Sequence, residues 1–260
     1  MTFCSTIFEI GPIFAPSGGV TTANNDTLWF ARDGSREIVL REGDPAPGAP
    51  AGTTIAGWGS CFTDDRGDVL VQAVNSGGVI GLWFRSAQGL EAVLSVGDDA
   101  PGLEGATIAE FLAVDLGPDG DLAVEARLGG RYWFEDDALM TARRTPDGWR
   151  FTPLVIKGEQ IVFASNNVRF VSEIGGWTTP NRFGEVLVGT QFRDGAAAVI
   201  LASPGGCPAD FDGNGFVDFF DQIDYTDAFE SGRARADFNR DGFLDFYDYA
   251  AFLDLFQAGC

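Results

Sequence analysis

Asp210-Phe211-Asp212-Gly213-Asn214-Gly215-Phe216-Val217-Asp218-Phe219-Phe220-Asp221 is answered further down the chain by Asp237-Phe238-Asn239-Arg240-Asp241-Gly242-Phe243-Leu244-Asp245-Phe246-Tyr247-Asp248. In each stretch an oxygen-bearing side chain stands at positions 1, 3, 5, 9 and 12, and a glycine at position 6. Calcium, a hard cation, takes six to eight oxygens, and a twelve-residue loop supplies them from positions 1, 3, 5, 7, 9 and 12 around a sharp turn at the sixth. The first loop would use the side chains of Asp210, Asp212, Asn214 and Asp221, the carbonyl of Phe216, and Asp218 directly or through water. The second would use Asp237, Asn239, Asp241 and Asp248, the carbonyl of Phe243, and Asp245 at position 9. Two Ca²⁺ ions are the expected cofactors. A run of solvated Asp-rich turns would have to reproduce this spacing twice by chance.

Working outward, residues 210–232 superpose on 237–259 with 10 identities in 23. Apolar residues after each loop (Ile223 and Phe229; Phe252, Leu255 and Phe256) are spaced for a short exiting helix. Only Pro208-Ala209 precedes the first loop, so there is no room for a long entering helix. Each unit is a loop followed by a helix. This tandem, closed by Asp at position 12, resembles a dockerin over the whole of 207–260. The resemblance implies docking to a cohesin-like protein or surface scaffold. It implies that positions 10 and 11 of the loops, Phe219-Phe220 and Phe246-Tyr247, touch that partner. Large aromatics displayed by so small a domain suit an interface.

Cys207 and Cys260 bracket the unit. A domain of this size is marginal alone and needs staples. A bridge closing it would contribute about 4 kcal/mol in the chain-entropy picture and would place the protein in an oxidising compartment. The other two cysteines, Cys4 and Cys61, have no spacing that assigns them. The expected location is extracellular or at the cell surface. The first residues, MTFCSTIFEIGPIFAPSGG, have no basic region and no clean apolar stretch, so they do not read as a signal peptide. The expectation is that the true start lies further upstream.

Upstream of the loops the pattern is β. Leu28-Trp29-Phe30 recurs as Leu82-Trp83-Phe84, and Gly43-Asp44-Pro45-Ala46-Pro47-Gly48 as Gly97-Asp98-Asp99-Ala100-Pro101-Gly102, both at one common spacing. A turn feeding a strand occurs three times, from Asp64 to Val71, Gly117 to Val124 and Asn181 to Val188. Trp133-Phe134 reads as a third Trp-Phe, with residues near 136–151 inserted before the next strand. Short β-branched and aromatic runs are split by Gly, Asp and Pro, and no apolar period of 3.6 is sustained before residue 207. The organisation expected is an N-terminal segment (1–19), a β-repeat domain (20–202) that is β-propeller-like or an open β-repeat, a linker (203–206) and a small all-α calcium-binding module (207–260). The repeat phrases resemble the bacterial secreted family with tandem NxxGxxAF repeats. That resemblance implies an architecture and no assigned chemistry.

The chain carries a formal charge of −21 and contains no His. The charge argues against a nucleic-acid partner and for cations. The missing His excludes His-based nucleophilic triads and the usual Cys/His zinc sites. No apolar run approaches a membrane span. The functional expectation is a secreted, non-catalytic β-repeat protein carrying a calcium-dependent docking module. The alternative is a dockerin-bearing polysaccharide-degrading enzyme, a glycoside hydrolase or lyase. There, Trp58, Trp149 or Trp177 would stack on sugar and two unassigned acids would act as the catalytic pair.

Overall fold

The computed structural model describes residues 26–32, 35–130, 136–145, 148–163, 167–204, 208–211, 217–239 and 241–258. Fourteen described strands form four antiparallel sheets. The first pairs β1 (Thr27–Arg32) with β2 (Ser35–Arg41). The second is a meander of β3 (Ile55–Thr63), β4 (Val69–Asn75), β5 (Ile80–Ser86) and β6 (Gly89–Ser95). The third runs through β7 (Ala106–Leu116), β8 (Leu122–Gly130), β9 (Asp137–Thr145) and β10 (Gly148–Ile156). The fourth contains β11 (Gln160–Phe163), β12 (Asn167–Trp177), β13 (Val186–Phe192) and β14 (Ala197–Ala202). Two helices follow, α1 (Phe219–Glu230) and α2 (Phe246–Ala258). No helix among the described residues is long and apolar enough to cross a membrane. The chain divides into two compact units. One runs up to Asp98 and takes Thr107–Glu110; the other takes Asp99–Ala106 and everything from Phe111 onward.

Hydrogen bonds explain the repeated words. Gly43 N–H donates to the Ile55 carbonyl and Ile55 N–H to Asp44; Gly97, Ile108 and Asp98 repeat both bonds. The Asp carboxylate in each copy closes the turn, Asp44 accepting from Arg41 N–H at 2.9 Å and Asp98 from Ser95 N–H at 2.8 Å. These aspartates hold turns, as short acceptors do. A third copy, Gly158-Glu159 with Val171, makes the same backbone bonds. Sequence comparison passes over it because the Pro-rich phrase is absent and β11 stands in its place.

The turn before β4, β8 and β13 is a five-residue hairpin connection. Residue 1 bonds residue 5, and a glycine N–H at position 4 returns to the residue 1 carbonyl. Gly67, Gly120 and Gly184 take φ of 93°, 85° and 74° there, the left-handed turn that ends such a loop. Asp64 and Asn181 brace it by accepting two backbone N–H groups each. Asn75-x-x-Gly78 is a further copy, with the same two acceptor bonds. At Gly117 the bracing side chain is lost for a steric reason: a Cβ would lie 2.7 Å from the Pro180 carbonyl oxygen.

Two expectations are corrected by the strand register. The described residues of 136–151 are not an insertion before the next strand; they include β9 and the start of β10, which pair as neighbouring antiparallel strands. The partner of Val71 is Trp83, and the equivalent partner of Val124 is Met140. Met140, fully buried, therefore holds the third Trp position, while Trp133-Phe134 lies outside the described residues.

The cores follow the pleat, since alternate residues of a strand share a face. In the first unit Leu28 and Leu40 pack with Val69, Val71, Ala73 and Trp83. The Trp83 indole donates to the Pro47 carbonyl at 3.1 Å. In the second, Ala123, Leu139 and Val155 of one sheet pack with Val171, Val186 and Val188 of the next. The opposite face of the last sheet is open, exposing Val162, Val168, Phe170, Leu187, Val199 and Leu201. Leu70 and Ala123 stand at the register position of Leu187, and both are fully buried.

Candidate calcium loops and docking surface

Both helices begin at position 10 of their loops, at the equivalent residues Phe219 and Phe246. Asp218 caps α1 by accepting Phe220 N–H at 2.8 Å, and Asp221 completes a capping box by accepting Asp218 N–H at 2.8 Å. Asp245 and Asp248 do the same for α2, accepting from Tyr247 at 2.8 Å and Asp245 at 2.9 Å. The residues expected at loop positions 9 and 12 therefore also start the helices. A twelve-residue loop thus hands its chain directly to a helix.

The module is centred on one ring pair. Tyr225 and Phe252, equivalent when one loop-helix unit is laid on the other, stack with centroids 4.0 Å apart and planes 2° from parallel. Phe211 meets both edge-on, and so does its equivalent Phe238. Phe229 leans on Tyr225 as Phe256 leans on Phe252. Ala209 and Ala236, again equivalent, are both fully buried. Such reciprocal contacts are what a two-fold relation between the loop-helix units produces. The identity breaks at the Tyr225 hydroxyl, which donates to the Ala236 carbonyl at 3.2 Å. Burial, then Asp248, push that phenol above its ordinary range.

In the second loop Gly242 takes φ of 89° and its N–H bonds Asp237 Oδ2 at 3.0 Å. Asn239 accepts from Asp241 N–H at 2.9 Å, and Asp241 from Phe243 N–H at 2.9 Å. Asp248, fully buried, accepts Asn239 N–H at 3.0 Å. Asp237 is 2% exposed, yet its Oδ1 is buried without a hydrogen-bond partner. A buried carboxylate oxygen left unbonded costs free energy unless something cationic meets it. The donor set fits a hard cation on that ground: Asp237 Oδ1 would be its first ligand, Asn239, Asp241 and Asp248 would follow, and the Phe243 carbonyl would supply position 7. Among the described residues no cluster of three or more His, Cys, Asp or Glu is drawn together. Of the first loop, Asp210, Asp218 and Asp221 are described; Asp212, Asn214 and Phe216 lie outside the described residues, as do Cys207 and Cys260. Cys61 is disulfide-bonded to a cysteine that also lies outside them.

The four aromatics at positions 10 and 11 face solvent. Phe219, Phe220, Phe246 and Tyr247 are 66%, 63%, 73% and 69% exposed. The two pairs have the same internal geometry, with ring centroids 6.3 Å apart in each. Phe243 stands exposed as well, a surface aromatic that sequence reading treated only as a carbonyl donor.

The module also meets the β strands of its own unit. Arg182, in the turn before β13, pairs with Asp237 Oδ2 at 3.2 Å. Arg235 lies over the Phe211 ring, 3.7 Å from its centroid; burial, then Arg143, push its guanidinium down to about 9. Arg143 forks onto Asp121 through bonds of 3.0 and 2.8 Å. Burial works against its charge, but Asp121, Asp119 and Asp210 together hold the guanidinium above its ordinary value. Neither Arg182 nor Arg235 stands out in sequence: the place of Arg182 in the repeated turn is held by Asp65 and Pro118 in the turns before β4 and β8, and Arg235 lies outside the two superposed loop-helix stretches.

The indoles considered for sugar stacking are all half-buried. Trp58 packs on the first core, and Trp177 donates to Glu125 at 2.8 Å. Glu125 and Asp137 sit above the usual carboxylate range, each chiefly through burial. Both have other work: Glu125 accepts the Trp177 N–H and Asp137 pairs with Arg127 at 3.5 Å.

Sheets and helices together define the molecule as a β-repeat protein with an Asp-rich two-helix module at its C-terminal end. The chain belongs to a family of unknown function, DUF7453, which it matches over residues 12–145. That match ends with β9, so the last sheet and the helical module lie beyond it. No curated protein and no solved structure matches the chain.

Proposed function

We propose that residues 207–260 are a dockerin-like module that binds two Ca²⁺ ions and attaches the β-repeat protein to a cohesin-type partner outside the cell. The observation that carries this reading is the sorting of the aromatics. Those at loop position 2 and in the helices (Phe211 and Phe238; Tyr225 and Phe252) pack on one another, while those at loop positions 10 and 11 are exposed in two matching pairs. A domain that only clipped the C-terminal end in place would have no reason to display them. The unbonded Asp237 oxygen supports the metal, and the disulfide at Cys61 supports an oxidising compartment.

The β repeat is what the module would anchor, in a propeller-like or open arrangement of sheets. The alternative of a polysaccharide-degrading enzyme needs two acids free to act, and among the described residues the two carboxyls with raised pKa are engaged with Trp177 and Arg127. Calorimetry on the full chain tests the first part: two calcium ions per molecule are expected, and none taken up would refute it. Capture of a cohesin domain in calcium, lost in chelator, tests the second. Capture that persists in chelator would refute calcium-dependent docking.

A further inference from the structure

We infer that Arg182 of the β repeat is a positioning residue for the cation of the second loop, so that calcium there and seating of the module on the β strands strengthen each other. This rests on the calcium reading above and extends it to a residue outside the loops. The Asp237 carboxylate is divided between two tasks. Oδ2 accepts the Gly242 N–H at 3.0 Å and forms an ion pair with the Arg182 guanidinium at 3.2 Å. Oδ1 has no hydrogen-bond partner, and the side chain is only 3% exposed. One oxygen is thus fixed from the protein side, and the other is left for the metal.

Arg182 is itself held. It occupies the second place of the turn that Asn181 braces through Phe183 and Glu185 N–H, closed by Gly184 at φ 74°. Its guanidinium lies 5.3 Å from the Phe183 ring centroid. The turn abuts the forked pair of the third sheet, since a Cβ on Gly184 would lie 3.3 Å from Asp121 and 3.5 Å from Arg143. The guanidinium that pairs with Asp237 is therefore held by a braced turn.

The sign of the effect follows from which oxygen is used. A guanidinium on the metal's own oxygen would compete with the cation, and its removal would raise affinity. Here it takes the other oxygen, as outer partners of liganding carboxylates do, and loss of such a partner typically weakens metal binding about 10- to 100-fold. Repulsion between the two cations acts the other way, so the lower end is expected. By linkage, whatever Arg182 adds to calcium affinity, calcium adds to the Arg182–Asp237 contact.

The experiment is a calcium titration of the full chain followed by amide NMR, reading Gly215 for the first loop and Gly242 for the second. Wild type is compared with Arg182→Ala, Arg182→Gln and Arg182→Lys, and the strand amides report that each variant is folded. The expected result is about tenfold weaker binding at Gly242 in Arg182→Ala, an unchanged Gly215, and partial recovery in Arg182→Lys. Hydrogen exchange at Gly184 should slow on calcium addition in wild type and not in Arg182→Ala. A Gly242 midpoint that stays put or tightens in both Arg182→Ala and Arg182→Gln overturns the inference and leaves the calcium reading standing. If neither glycine responds in wild type, the calcium reading falls, and the inference with it.

Discussion

The β repeat and the helical module are both built by duplication, but what is duplicated differs. In the sheets the repeated element is a set of backbone bonds. Gly43, Gly97 and Gly158 make the same bond although the words around them diverge, and the turn before each inner strand survives replacement of Asp64 by Gly117. In the module the duplicated element is side chains at fixed places, rings at 211, 225, 238 and 252 and carboxylates at loop positions 1 and 12. Backbone repeats tolerate sequence drift because strands accept many residues that fit a pleated, half-buried surface. A small core tolerates little, since each ring carries a large share of the buried area.

The largest test of this contrast is removal of calcium. On the proposed reading, chelator should abolish the helical circular-dichroism signal of α1 and α2 while the strand signal persists, because metal binding is folding energy for a small domain. Helices that survive in chelator would show that the rings alone suffice. Next is Phe252→Ala, which removes half of the central stack. Truncating a buried Phe costs about 3–5 kcal/mol, enough to unfold the module at any practical calcium level while the sheets melt as before. An unchanged helical signal would break the claim that the module depends on single rings.

A smaller effect is expected from Asp64→Ala in the first unit. Asp64 is buried and accepts Arg66 N–H at 3.0 Å and Asp68 N–H at 2.8 Å. Losing the acceptor leaves two turn donors unpaired, a cost of about 1–3 kcal/mol, seen in denaturant melts with calcium uptake unaltered. A loss of calcium binding would show that the two regions are not separable in this way. Phe220→Ala with Tyr247→Ala should leave both melts within about 0.5 kcal/mol, as exposed positions do, and remove partner capture. A pair that captures normally would move the docking surface elsewhere.

The same contrast explains what could be read from the sequence. The loops are legible because one pattern of residue type and spacing occurs twice, a pattern that calcium dictates on the proposed reading, and the helix starts at Phe219 and Phe246 follow from it. The strands are legible as a class, since Leu82-Trp83-Phe84 and Val69–Val74 cannot be read as anything but β. Register is less so. Trp133 mimics the Trp83 word, yet the pairing of Val124 with Met140 decides which residue enters the core. The stretch from Gly97 to Gly158 is longer than that from Gly43 to Gly97, which shifts the third copy out of step. Contacts that join distant segments left no local signal at all. Arg182 with Asp237, Arg235 over Phe211 and Trp177 with Glu125 depend on how the chain packs, and a single arginine or tryptophan carries no spacing to betray it.

The smallest effect lies at Glu125, where packing and charge oppose each other within the β repeat. Burial raises its pKa above 4.5, the Trp177 hydrogen bond pulls it down, and burial prevails. The folded state therefore holds the proton more tightly than the unfolded chain. By linkage, this group's contribution to stability is complete below the unfolded pKa and is lost as pH rises through the higher folded value. At neutral pH the carboxylate is a net cost. Glu125→Gln keeps an oxygen for the indole N–H and cannot ionise, so the variant's β transition should lie slightly above wild type at pH 7. The difference should vanish toward pH 4, where the wild-type carboxyl is protonated. Thermal melts followed by tryptophan fluorescence at the two pH values measure it. A variant less stable than wild type at pH 7 would mean that the charged acceptor matters more to Trp177 than burial costs, and that even inside the sheets one side-chain bond outweighs the repeat's indifference to sequence.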